Sequence, residues 1–490
     1  MRPPAPAVSL PLGGAHVRIL TMALGCLLAA WLTGCASSRQ EAAPPAAVAP
    51  DDAPAPWSDG PRQRAATPPR VAGLALPGPW WESLQSPALS ALIAQAQAAS
   101  PTLAAAEAAL RQAEALQNAQ AAITAQPQFD ATVGAQRQHT SPAALGQSGE
   151  GRSFSLYSAG LQVRYLFDLS GASQHTLQAL AARTEWRRHE QTAARQALAG
   201  QIAATAIARA RWAAQVEATH TLAQQQQAQA DIAQARLRLG QATPDEALAL
   251  QAQAAQTRAS LPPLRQQMQQ AEHVLAVLAG QPPGMQPLHA FALGDFTLPA
   301  QLPLRVPSQL VRQRPDIQAS EALLHAADAE HGATVARRYP QLQLSANLGS
   351  QALTSGALFG AGAAVWALGG QLAQPFFNPA QQGQEAAALA ALQAASGQYQ
   401  SVVLQALRQV ADALGALDHG AQALQSLREA DSAAEGSART VQRRYALGAA
   451  SYVQLVQAQQ QVTQTALLLA QAQAQQLADC VALYQALGTP

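Results

Sequence analysis

Apolar and polar positions along this chain follow two rhythms, and the two recur in the same order. From about Pro101 to Ala125, and again from Ala172 to Leu237, alanine and leucine recur at helical spacing among glutamines. Between these stretches the period falls to two. Phe129, Ala131 and Val133 share one side of an extended segment, and Leu161, Val163, Tyr165 and Phe167 alternate with Gln162, Arg164 and Leu166. A polar Ser/Gly loop over 139–151 joins them, so they read as a β-hairpin. The second half repeats the plan. Leu342, Leu344, Ala346 and Leu348 alternate with Gln341, Gln343, Ser345 and Asn347, and a Gly/Ser/Ala loop leads into 363–376 with Trp366 and Leu368. A second long helical pattern then runs from Gln381 to Ala446. Each strand is near the ten or so residues of a tilted transmembrane strand, although a soluble hairpin packed on helices fits the same alternation.

Neither long helical stretch contains proline. At 1.5 Å per residue each would be roughly 100 Å long, beyond an ordinary globular helix. Each ends at a glycine, Gly240 or Gly448, and returns as another helix, Pro244 to Leu278 or Ser451 to Leu487. Val453, Val456, Val462, Ala466 and Leu469 mark a coiled-coil-like seam on the last one. Such long hairpins cannot bury themselves alone, so oligomerisation is expected.

The repetition extends to punctuation. Pro101-Thr102-Leu103 through Glu107 matches Pro315-Asp316-Ile317 through Glu321 at an offset of 214, as Ala113-Glu114-Ala115 matches Ala327-Asp328-Ala329. Arg236 to Gly240 matches Arg444 to Gly448 at 208, and Phe167-Asp168 matches Phe377-Asn378 at 210. A period near two hundred residues means a duplicated domain rather than a solenoid.

Composition agrees with long helices more than with a large core. Of the residues 49% are hydrophobic, much of that alanine, while only 12% are charged and the net charge is +1. Alanine buries little surface but allows close helix approach. There is no basic tract, hence no footprint for nucleic acid. Three cysteines exclude a disulfide scaffold. Arg18 precedes an apolar run from Ile19 to Leu32 that ends in Leu32-Thr33-Gly34-Cys35, a secretory signal too short to span a bilayer. Leu-Thr-Gly-Cys resembles a bacterial lipobox, which implies cleavage before Cys35 and lipidation of Cys35. Ala23-Leu24-Gly25-Cys26 is a weaker competitor, since cutting there would leave too short a run. After Cys35 come Ala36 and Ser37, without the aspartate that retains lipoproteins at the inner membrane, which favours the outer membrane. Cys480 then remains as a packed small apolar residue. The expected organisation is a signal peptide over 1–34, a Pro/Ala/Ser-rich lipidated tether over 35–79, a first repeat over 80–282, a linker over 283–302 and a second repeat over 303–490.

Several motifs in this plan resemble the outer-membrane factor family, the TolC-like exit ducts of tripartite efflux pumps, in its NodT-type lipoprotein lineage. They are Trp80-Trp81 with Pro87 and Leu89; Phe167-Asp168-Leu169-Ser170-Gly171; Leu302-Pro303, Pro307-Ser308, Leu310 and Arg312, then Arg314-Pro315-Asp316-Ile317 followed by Glu321; Tyr339-Pro340; Gln374-Pro375-Phe376-Phe377; and Arg444-Tyr445 with Gly448 and Ser451-Tyr452. Within them, Pro315 suits a first helical turn and Asp316 its positive end. The resemblance implies a mainly α fold with a transmembrane β-barrel: a homotrimer sharing one twelve-stranded barrel, continuous with a periplasmic α-helical barrel. It also implies outer-membrane lipid around the barrel, a periplasmic adaptor (membrane fusion) protein, and an inner-membrane transporter of the resistance-nodulation-division or major-facilitator type. No cofactor and no enzymatic activity are expected.

By the same resemblance the helix turns, with Arg236, Gly240, Arg444, Tyr445 and Gly448, form the closed end and face the adaptor. Family members place aspartates after the Ser-Tyr of the second turn. Here Gln454 and Gln457 stand there, while the acids are at the first turn, Asp245 and Glu246. The gate is thus assigned either to Gln454/Gln457 or to Asp245/Glu246. The ten histidines show no metal spacing, and Phe359-Gly360-Ala361-Gly362 lacks the lysine of a phosphate loop. A lipid-anchored periplasmic coiled-coil scaffold or adaptor without a pore is the competing reading, and it leaves the two alternating hairpins unexplained.

Overall fold

The computed structural model describes residues 70–72, 79–141, 150–285, 288–299, 301–304 and 313–489. Cys35, the signal segment, most of the tether, and Pro307, Ser308, Leu310 and Arg312 lie outside the described residues. In chain order the elements are β1 (Arg70–Ala72), a 3-10 turn (Trp80–Leu84), α1 (Pro87–Ala99), α2 (Pro101–Ala125), β2 (Gln128–Thr140), β3 (Arg152–Phe167), α3 (Ala172–Arg238) and α4 (Pro244–Leu278). Then follow β4 (Leu302–Leu304), α5 (Pro315–Ala336), β5 (Gln341–Ala352), β6 (Ala364–Ala373), α6 (Pro379–Ala446) and α7 (Tyr452–Ala486).

Helices start where proline can open them without losing a needed donor. Pro87, Pro101, Pro244, Pro315 and Pro379 each occupy a first turn. α3 and α6 have 67 and 68 residues. α4 contains a feature that the periodicity passes over, Pro262-Pro263 inside the helix. Neither can donate to the carbonyls of Arg258 and Ala259, yet the helix continues, with α3 packed along it.

α3 is the backbone of the packing. It lies against α1, α2, α4, α5 and α7, while α6 packs on α5 and α7. The main core is a belt part-way along the helices. Trp80, Leu84, Leu89 and Ile93 meet Ile202, Ile207, Leu275, Val410, Leu417, Leu477 and Tyr484 there. Trp80 stacks on Tyr484 with ring centroids 5.5 Å apart. Elsewhere alanine fills the seams, so few large side chains are buried outside the belt and a small cluster around Ile317, Tyr399 and Val403.

The stretch read as a linker is more than a connection. Phe291, Phe296 and Leu302 join the core, and the buried Arg209 donates to the Phe291 carbonyl at 2.7 Å while pairing with Glu272 at 2.9 Å. The stretch read as a tether also has a fixed point, because Arg70–Ala72 pairs in parallel with Leu302–Leu304. Cys480 is buried, as its helical setting suggests, and burial pushes its thiol up to about 12.

The two hairpins combine into one antiparallel sheet, in the order β2-β3-β5-β6. The pairing Phe129↔Val163↔Ala346↔Leu368 and Ala131↔Leu161↔Leu348↔Trp366 fixes which residues share a face.

Candidate functional site

Register gives the sheet two unlike faces. One carries Phe129, Val133, Leu161, Leu344, Leu348, Trp366, Leu368 and Leu372, all exposed. The other carries Asp130, Thr132, Gln136, Gln162, Arg164, Gln343, Ser345, Asn347 and Gln371. On that polar face Arg164 Nη2 pairs with Asp130 Oδ2 at 2.5 Å across the β2–β3 ladder. The apolar face extends from Phe167 to Tyr157 along β3. Ten residues of tilted strand rise roughly 25 Å, the height of an outer-membrane barrel's apolar band. A soluble hairpin would not leave such a face uncovered. At the sheet's centre Gly160 faces Gly349, and a Cβ on Gly349 would come within 2.5 Å of the Ala159 carbonyl oxygen.

The two helix turns are copies of one motif. At the first, Gly240 has φ +72°, its N–H donates to the Leu237 carbonyl at 3.0 Å, and Gln241 N–H donates to the Arg236 carbonyl at 2.8 Å. At the second, Gly448 has φ +71°, with Gly448 N–H to Tyr445 O at 3.0 Å and Ala449 N–H to Arg444 O at 2.7 Å. This is the Schellman closure, which uses a left-handed residue to satisfy the last carbonyls. Each arginine then folds back over its own turn, Arg236 donating to Gln241 O at 3.2 Å and Arg444 to Ala449 O at 3.3 Å. Thr243 and Ser451 cap the returning helices by accepting from Glu246 N and Gln454 N, both at 3.3 Å.

The candidate gate residues divide between these turns. Asp245 and Glu246 lie in the first turn of α4, where the helix dipole favours them, and Glu246 is 4.0 Å from Arg236. Gln454 completes a capping box, its Oε1 accepting from Ser451 N at 3.0 Å, and Gln457 is exposed one turn on. Tyr445 and Tyr452 rings lie 5.8 Å apart, and burial pushes the Tyr452 hydroxyl up to about 12. The apices expose Leu239 and Leu447, at 73% and 84%.

Arg314 has a role that its tetrapeptide does not show. Pro315 opens α5 and Asp316 occupies its first turn. The buried Arg314 guanidinium grips both Asp316 oxygens at 2.9 and 2.6 Å, Gln409 Oε1 at 2.8 Å and the Ala486 carbonyl at 2.7 Å. It thereby ties α5 to α6 and to the end of α7. Glu321 is half-buried on α5, its charge acting on the Tyr399 hydroxyl, which burial raises in pKa. Sequence reading also missed the Asp130–Arg164 pair, since a diagonal contact depends on strand register. Among the described residues no group of His, Cys, Asp or Glu converges as a metal site, and no helix is long and apolar enough to cross a membrane.

A family model described as "Outer membrane efflux protein" matches residues 92–281 and 306–489. The chain belongs to the outer membrane efflux protein family. It is 29% identical over 416 residues to the pyoverdine export outer membrane protein OpmQ of Pseudomonas putida, covering 83% of this chain and 87% of that protein. It is also similar to the probable outer membrane lipoprotein SilC of Salmonella typhimurium, at 28% over 43% of this chain and 45% of that one. Among solved structures the outer-membrane channel OprN superposes with a TM-score of 0.80 at 23% identity, covering 88% of this chain and 98% of that chain, and so shares its fold. As an outer membrane efflux protein the chain is the outer-membrane channel component of an efflux system. Its sheet spans the outer membrane and its helices extend into the periplasm. Members of this family are transport proteins.

Proposed function

We propose that three copies of this chain form one duct, conducting small molecules passively from an inner-membrane transporter through a periplasmic adaptor to the exterior. The observation that carries this is the two-faced sheet. It has four strands, an exposed apolar face and, among the described residues, unpaired edges at β2 and β6. An unpaired edge is not tolerated in lipid, so β6 of one copy pairs with β2 of the next until a barrel of twelve closes. The polar face then lines the lumen. A poreless scaffold has no use for either face.

Lipid on Cys35 supplements the barrel's hold, as the similarity to the lipoprotein SilC supports. The repeats run over 80–282 and 303–490, bridged by 283–302, whose Phe291 and Phe296 pack in the belt. The turns around Gly240 and Gly448 dock the adaptor and close the duct at rest. The transporter is of the resistance-nodulation-division or major-facilitator type. Gln454 and Gln457 leave the second turn without the family's carboxylates, so divalent-cation block, where it occurs, is assigned to Asp245 and Glu246. Both assignments are tested by planar-bilayer conductance of the purified lipoprotein. Single-channel steps from a heat-dissociable trimer are expected, and block by divalent cations should vanish in Asp245→Asn/Glu246→Gln. A salt-released, non-conducting protein would overturn the channel reading, and block that survives the double substitution would overturn the gate assignment.

A further inference from the structure

The two turns share a backbone but differ in charge. At the first, Arg236 and Arg238 end α3 and Asp245 and Glu246 open α4, with Arg236 Nη1 4.0 Å from Glu246 Oε1. At the second there is no such compensation. Residues 436–478 cover the end of α6, the turn and most of α7; they contain no Asp or Glu, and their arginines are Arg439, Arg443 and Arg444. All three are exposed, and none forms an ion pair with a described residue. Arg439 and Arg443 are four apart, on one face of α6 just before its end. The nearest acid in sequence, Glu435, lies a turn further from the apex. Beside these cations stand exposed apolar groups, Leu447 at 84%, Val453 at 51% and Tyr445 at 41%.

Resting on the docking role proposed for the turns, we infer that the α6–α7 turn, and not the α3–α4 turn, binds a carboxylate-bearing segment of a periplasmic partner protein. The apolar apex identifies the occupant as protein rather than a small anion in transit. Leu447 and Val453 give surface to bury, while Arg439 and Arg443 steer and orient an acidic partner. Arg444 is already engaged with the Ala449 carbonyl and shapes the turn. Arg439 and Arg443 are therefore the recognition pair. The first turn, with Glu246 beside Arg236, offers an acidic segment no net attraction.

The test uses the detergent-solubilised full-length lipoprotein and two synthetic helical-hairpin peptides of one design, with three glutamates or three glutamines in the turn. Fluorescence anisotropy at 50 mM NaCl is expected to show the glutamate probe binding at least tenfold more tightly. That preference should shrink several-fold at 300 mM, as screening requires. It should disappear in Arg439→Gln/Arg443→Gln, which keeps the Arg444 hydrogen bond, and persist in Arg236→Gln/Arg238→Gln. Equal binding of both probes, or loss on the first-turn substitutions, would overturn the inference. So would displacement of the probe by free glutamate at matched carboxylate concentration, which would mark a small-anion site. Bilayer conductance of the same preparation reports independently on the channel: conduction without probe preference sinks only this inference, whereas absence of conduction counts against the channel itself.

Discussion

At the scale of single residues, the turn glycines are required by conformation rather than by space. Nothing lies within 4 Å of a Cβ built on Gly240 or Gly448, yet both have φ above +70°. Gly448→Ala should therefore cost about 1 kcal/mol, localised to the turn. Hydrogen exchange of the amides around Gly448 should quicken while the belt is unchanged. Arg314 contrasts with this, because its bonds cross three elements. Arg314→Ala leaves the Ala486 carbonyl and Gln409 without their donor and should cost about 3 kcal/mol. Thermal unfolding followed by circular dichroism should show it, with Arg314→Lys recovering only part. Asp479 carries a penalty of the opposite sense. Burial raises its carboxyl above the ordinary value, with Gln475 opposing weakly. An acid whose folded pKa is raised contributes stability that is complete below its unfolded value and is lost as pH rises through the folded one. Near pH 7 the charge is a burden, so Asp479→Asn, which keeps an acceptor for Gln475, should raise the thermal midpoint at pH 7 and not at pH 3.

Among elements, the strands allow the sharpest comparison, since neighbours on one strand point to opposite faces. Leu368 lies on the apolar face and Ala367 on the polar one. Leu368→Arg should cost about 2–4 kcal/mol near the bilayer midplane, whereas Ala367→Arg meets water. The expected readout is loss of heat-modifiable oligomer from the outer-membrane fraction for the first substitution and retention for the second. In α4, Pro262→Ala/Pro263→Ala would restore donors to the Arg258 and Ala259 carbonyls. It should stabilise that helix by up to about 3 kcal/mol per proline and slow exchange over 244–261. Element boundaries were legible because their causes are local. Pro101, Pro244 and Pro315 open helices, Gly240 and Gly448 close them, and period two marks the strands. The strand faces were only half legible. Alternation separates Leu161 from Gln162, but it does not say whether the apolar side meets helices or lipid.

In the whole molecule, the low charge and abundant alanine mark a chain that buries little in itself. Its belt around Trp80 and Tyr484 is the main core, and the remaining seams are surfaces that the proposed trimer would cover. Cys35→Ser should abolish palmitate incorporation while leaving the barrel able to insert, measured by radiolabelling and by oligomer in the membrane fraction. By itself the sequence determined what nearest neighbours dictate: the duplicated plan, the lengths of α3 and α6, the positive-φ turns and the lipidation motif. Only the tertiary structure decided what depends on distant pairing. It set the Gly160–Gly349 contact, the Asp130–Arg164 pair, Arg314 reaching Ala486 and the exposed apolar face. The physical reason is range. Helix ends and turns answer to hydrogen bonds within a few residues, whereas a sheet's register and a buried guanidinium's partners join positions far apart in the chain, and no local pattern carries that information.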